Sequence, residues 1–143
     1  MYGICSWGGA AKTHLLEVER AQRTLLKVIF SLPFRHPTDL IYEKTGLLSV
    51  RKLYIFQIIR RYHRITVPAL PISDKRVDLC PVPRVNSALA NRQFDFLAPY
   101  IYNKINKIEN MKACSNYVVK NKIIKWLQKF DYSETEKLLY IVS

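Results

Sequence analysis

Ser49-Val50-Arg51-Lys52-Leu53-Tyr54-Ile55-Phe56-Gln57-Ile58-Ile59-Arg60-Arg61-Tyr62-His63-Arg64 is the stretch that decides how this chain folds. Ser49 is a natural N-cap, and the spacing predicts a helix over residues 50–64. Val50, Leu53, Tyr54, Phe56, Ile58 and Ile59 cover too wide an arc for a helix with one exposed face, so this helix is expected to be the central, most buried element of the N-terminal half. Arg60, Arg61 and Arg64 close it. Cations there oppose the negative end of the helix dipole, which gives them a structural reason to be present whatever else they do.

Helical periodicity continues on both sides. Upstream, residues 12–30 carry a stripe of Leu15, Val18, Gln22, Leu25 and Ile29, widened by Leu16, Leu26 and Val28. Arg20, Arg23 and Lys27 share another face, with Glu19 one turn before Arg23. Pro33 disfavours helical geometry in Leu32 and ends this helix at 31–33. Thr38 is placed to cap a short helix over 39–45, with Asp39 in its first turn and Gly46 as terminator. Downstream, Pro68, Pro71, Pro81 and Pro83 rule out a regular helix over residues 66–84. The aromatic-rich run 92–105 reads as a packed loop with a short strand or helical turn. Ser115 caps a helix over 116–130 with Val119, Ile123, Trp126, Leu127 and Phe130 as its stripe. Ser133-Glu134-Thr135-Glu136 has the form of a capping box for a last helix through Leu138, Leu139 and Tyr140.

The expected fold is therefore mainly α. A small helical bundle over residues 1–65 is followed by a Pro-rich linker or extended segment over 66–91 and a second small helical segment over 92–143. Few glycines and little Val/Thr alternation argue against a sheet.

Charge narrows the function. The chain of 143 residues carries 23 Lys and Arg against 11 Asp and Glu, a net charge of +12, and both halves share the excess. A sustained positive field favours phosphate-rich partners. Three groups recur at helical spacing: Arg20, Arg23 and Lys27; Arg60, Arg61 and Arg64; and Lys120, Lys122, Lys125 and Lys129. A rigid row of cations can follow the phosphates of a duplex strand through contacts that ignore sequence and depend on salt. Taken singly, each row also fits the solvated face of an amphipathic helix. Tyr54, Tyr62, Tyr100, Tyr102 and Tyr117 are candidates for stacking or sugar contacts, or for the core. The segment 117–130, with Trp126, also has the look of a basic helix lying on an anionic membrane. That reading ranks lower, because its apolar stripe is needed to bury a small core.

Nothing in the sequence assembles a catalytic or metal site. His14, His36 and His63 lack metal-ligand spacing, and Asp39, Asp74, Asp78, Asp95 and Asp131 form no DD or DxD pair. No phosphate-binding glycine loop occurs, and Gly8-Gly9 reads as a loop before the first long helix. Cys5, Cys80 and Cys114 are odd in number and far apart, as expected of reduced thiols in an intracellular protein, nuclear or cytoplasmic. No apolar run is long enough to span a membrane.

Several stretches, in order, resemble the region that follows the palm of non-LTR retrotransposon reverse transcriptases, especially jockey-like elements. Tyr2-Gly3-Ile4-Cys5-Ser6-Trp7-Gly8-Gly9-Ala10 is similar to their YGxxxWGG stretch, and Ala21-Gln22-Arg23 to the QK/QR helix. Thr38-Asp39-Leu40-Ile41-Tyr42 through Gly46-Leu47-Leu48-Ser49-Val50 resembles the segment after it. Arg92 with Pro99-Tyr100-Ile101-Tyr102-Asn103-Lys104-Ile105 resembles the "R…P..yN.LP" pattern, with Asn106 where the family has proline. Lys125-Trp126-Leu127 and Tyr132-Ser133 resemble the closing motif.

The resemblance implies a thumb and C-terminal extension that hold a template–primer backbone. The YxDD motif of the palm is absent, so the chain is expected to lack polymerase activity. It is also expected to carry no cofactor, since magnesium would belong to the missing palm, and to have lost the palm and fingers as partners. By the same resemblance it is a truncated copy. A piece separated from its palm should expose an apolar patch on the first long helix and near Tyr2 to Trp7. The alternative is an independent basic helical module that binds nucleic acid or protein.

Overall fold

The computed structural model describes residues 3–10, 12–69, 80–84, 86–108, 111–112 and 114–139. Among these there is no β-strand, and the fold is mainly α. The helices are α1 (Ile4–Trp7), α2 (Lys12–Ile29), α3 (Thr38–Thr45), α4 (Val50–Arg61), α5 (Ala88–Asn91), α6 (Phe94–Ile108), α7 (Asn116–Leu127) and α8 (Tyr132–Leu139).

α4 is the hub. Val50, Tyr54, Ile55, Phe56, Ile58 and Ile59 are all buried, and α1, α2, α6, α7 and α8 pack around it. Its start is satisfied from two directions. Ser49 accepts from the Lys52 amide, while Gln22 and Glu19 of α2 accept from the amides of Val50 and Arg51 at 3.2 and 3.3 Å. Three of the amides that every helix leaves open at its start thus find acceptors, one of them a carboxylate at the positive end of the dipole. α4 does not stop at Arg64. It passes through a π turn, Tyr62–Thr66, into a 3-10 turn, Val67–Ala69.

One apolar core takes in Ile4, Leu15, the buried face of α4, Cys80, α6, Met111, α7 and α8, so residues on both sides of the proline-rich stretch share it. A satellite cluster of Leu26, Leu32 and Ile41 ties α2 to α3. Cys5, Cys80 and Cys114 are free thiols.

Several local expectations are corrected. The run 92–105 is neither loop nor strand but lies mostly in the helix α6, which carries Pro99 inside it. Pro99 sits near the helix start and is itself buried beside Leu97, Ala98 and Ile101, so apolar packing outweighs the one helical bond that proline cannot donate. The capping box of α8 is Asp131 with Glu134, two residues earlier than Ser133 with Glu136. The Glu134 amide donates to Asp131 Oδ1 at 2.7 Å, and the Asp131 amide donates to Glu134 at 3.0 Å. α3 begins at Thr38 itself, with Pro37 before it and no side-chain cap.

Within the stretch expected to be a linker, Ser87 caps the short helix α5. Residues 70–79 and 85 of that stretch lie outside the described residues, as do Tyr2 and Tyr140. Gly8 and Gly9 have a packing reason: a Cβ on Gly8 would land on the Tyr54 ring, and one on Gly9 would lie 2.7 Å from the Arg92 carbonyl.

The stripe of α2 is also turned from the expected one. Leu15, Glu19 and Leu26 are buried and Gln22 is half-buried, whereas Leu25, Val28 and Ile29 face outward. The cause is polar. Gln22 donates to the Leu48 carbonyl and accepts from Tyr42 and Val50, and Glu19 turns inward to Arg51.

Candidate nucleic-acid interface

The three basic groups fall in different places around α4. Arg60, Arg61 and Arg64 are exposed at its C-terminal end. Among the described residues none of the three pairs with an acid, and Arg61 lies 5.5 Å over the Phe94 ring. Arg20 is exposed on α2, but its neighbours have other work. Arg23 is largely covered and sits 3.8 Å from Glu19. Lys27 donates to the Phe34 carbonyl at 2.6 Å and lies over the Phe34 ring, which fastens the end of α2.

Lys122 and Lys125 of α7, with Lys129 in the turn just after it, fall within about 60° of arc when the 3.6-residue spacing is continued, with Lys120 on the other flank. Lys125 and Lys129 are exposed. Lys122 is half-buried and donates to Cys114 Sγ at 3.4 Å.

Hydrogen bonds along α4 show which groups come together. α7 runs antiparallel to α4: Cys114, just before α7, receives a hydrogen bond from His63, while the Phe130 carbonyl after α7 receives one from Lys52. His63 Nε2 donates to the Cys114 carbonyl at 3.1 Å, and Nδ1 accepts from the Tyr102 hydroxyl at 2.9 Å. The carbonyl can only accept, which sets this tautomer. Burial pushes the His63 pKa down, against a smaller upward pull from the Cys114 carbonyl. The chain of contacts from His63 through Cys114 to Lys122 brings the start of the α7 row toward Arg60, Arg61 and Arg64. The α2 row is at the other end, because Glu19 meets Arg51, and Arg51 to Arg60 is about 14 Å along a helix axis.

One constellation was missed from the sequence. Arg51 is fully buried on α4, with Nε 3.4 Å from Glu19 and Nη1 3.1 Å from Glu136 of α8. This network joins α2, α4 and α8 and is structural. Its signal was phase: Arg51 falls in register with Ile55, Ile58 and Tyr62. Of the five tyrosines weighed for stacking, Tyr54, Tyr62 and Tyr102 are core residues, Tyr100 is half-buried and Tyr117 is exposed. Burial pushes the Tyr54 hydroxyl up to about 12, and it donates to the Arg92 carbonyl.

Among the described residues no His, Cys, Asp and Glu side chains are grouped to hold a metal ion, and no helix is long and apolar enough to cross a membrane. The apolar stripe of α7 is spent in the core, so that helix cannot lay it on a bilayer. A cleft of about 430 Å³ lies between the α3–α4 and α7–α8 connections, lined by Tyr42, Glu43, Lys52, Lys129 and Asp131 among others. Its mixed charges do not define a ligand. No family model matches this chain, and searches of curated proteins and of solved structures find no match either.

Proposed function

We propose that this chain grips the phosphate backbone of a nucleic acid without reading its sequence, as the thumb and C-terminal remnant of a retrotransposon RNA-directed DNA polymerase would. The observation that carries the binding is the exposed set Arg60, Arg61 and Arg64, without acidic partners among the described residues, on a chain of net charge +12. Arg60 and Arg61 close the most buried helix of the fold and Arg64 lies in the π turn after it, while Lys125 and Lys129 are exposed farther off, toward the end of α7 that meets Lys52. Placement on a rigid helix keeps the ordering cost of each contact low. The retrotransposon origin rests on the ordered motifs from Tyr2 to Ser133. In this reading the template–primer duplex is the partner, and catalysis with its magnesium belongs to a palm, which these 143 residues do not include.

Titrating the full chain with a duplex of arbitrary sequence over a range of salt tests the binding. Affinity should fall steeply with salt. Arg60→Glu, Arg61→Glu and Arg64→Glu should each lower the log–log salt slope by about 0.9 for every phosphate that the variant no longer neutralises. Affinity that barely changes with salt would sink the proposal. The origin has its own test, a search of the genomic sequence upstream of Met1 for palm-like coding sequence.

A further inference from the structure

The C-terminal half of α2 and the turn after it expose more apolar surface than the bundle explains. Leu25, Val28, Ile29 and Phe34 are 62%, 74%, 69% and 85% exposed, and Phe30 is also exposed. With Val18 and Ala21 the aliphatic residues of α2 cover about 100° of its surface over about 16 Å of length. Exposure this high means that no wall stands beside these side chains. They form a protruding face, and none of them lines the cleft between the α3–α4 and α7–α8 connections. Charge selects what would cover it. Residues 20–36 contain Arg20, Arg23, Lys27 and Arg35 and no Asp or Glu. A second copy would bring the same positive charge against it.

We infer that this face docks on an anionic lipid bilayer, with Phe34, Phe30, Val28, Ile29 and Leu25 entering the headgroup–acyl boundary, Arg35 meeting the lipid phosphates, and Arg20 and Lys27, about 130–150° around α2 from the centre of the apolar face, adding longer-range attraction. Apolar side chains supply insertion and the cations supply attraction, which is how a helix lies in an interface without spanning it. Arg23 and Lys27 are already committed within the fold, whereas Arg20 and Arg35 are exposed, and Arg35 follows Phe34 in the turn.

Co-sedimentation of the full chain with phosphatidylcholine vesicles, with and without phosphatidylserine, tests this. The chain should partition onto the phosphatidylserine vesicles. Val28→Ser with Phe34→Ser should weaken that partition by about tenfold or more, and Arg35→Ser by about fivefold. These side chains are exposed, so circular dichroism should show each variant folded. Unchanged partition of the double variant would overturn the inference, because it would leave only diffuse charge attraction. So would a chain that ignores both vesicles, including one that self-associates or binds an acidic protein through these residues.

Discussion

α4 and α2 are both long helices rich in apolar residues, yet they are held in different ways. α4 is buried on nearly every side, and its cations escape only at its C-terminal end. α2 keeps one narrow buried line, Leu15, Glu19 and Leu26 with Gln22, and much of that line is polar. Its outer half depends on a cluster of Leu26, Leu32 and Ile41. Apolar content alone therefore does not set burial. Where a helix spends its inward positions on Glu19 and Gln22, its remaining leucines and valines are pushed to the surface, and that surface becomes available to a partner.

The contrast between the two helices is most vulnerable at the joint that links them. Arg51→Ala removes the 3.4 Å ion-pair partner of buried Glu19 and the 3.1 Å partner of Glu136. Removing one member of a buried ionic network typically costs about 3–5 kcal/mol. Chemical denaturation should show a loss of that size, with α2, α4 and α8 all affected. A cost below about 1 kcal/mol would mean that the network is solvated and that α2 is not anchored there. Next comes Leu26→Ala in the satellite cluster, expected to cost about 2–3 kcal/mol. Hydrogen exchange should localise that loss to α2 and α3 and spare α4. Equal acceleration in α4 would show that the two regions unfold as one.

The centre was legible in the sequence because its signal is redundant. Ser49, the apolar residues of 50–59 and the breadth of their arc all point to a buried helix with the same start. The Ser115 cap and the α7 stripe were legible for the same reason. α6 was not, because Pro99 counts against a helix locally and only the packing of Leu97, Ile101 and Ile105 outweighs it. The turn of α2 was hidden too: Glu19 looks like a surface partner for Arg23 until Arg51, far along the chain, draws it inward. For the candidate interface, the sequence marked the cationic rows but not which cations the fold would occupy. Lys27 and Lys122 are held by Phe34 and Cys114, and those contacts depend on tertiary placement rather than spacing.

A third test reads the centre through pH. His63 is buried between Tyr102 and Cys114, and burial lowers its pKa below the ordinary value of 6.5. The unfolded chain therefore binds this proton more readily than the folded one. His63 contributes its full stability above pH 6.5, and that contribution is lost as pH falls below it toward the folded pKa. The melting temperature should drop between neutral and mildly acidic pH. His63→Gln, which can keep one donor and one acceptor, should flatten that drop. A wild-type profile flat over that range would show that His63 protonates in place, with Tyr102 turning to accept.

The smallest effect expected is a gain, and it bears on the outer end of α2. The Leu32 amide donates to the Lys27 carbonyl at 2.8 Å and the Ser31 amide to Val28 at 3.3 Å, the paired bonds of a Schellman ending, with Leu32 packed on Leu26. Such an ending needs a left-handed residue, and here it is Ser31, at φ 52°. A Cβ in that region is strained, and glycine is not. Ser31→Gly should therefore stabilise the chain by about 0.5–1 kcal/mol, less whatever the freer unfolded glycine takes back. Denaturation should show the gain, and hydrogen exchange should slow in α2 and α3 alone. If α2 is the loosely held region, tightening this one turn raises protection there without changing α4. A loss of stability would mean that the Ser31 side chain contributes more to the turn than its left-handed backbone costs.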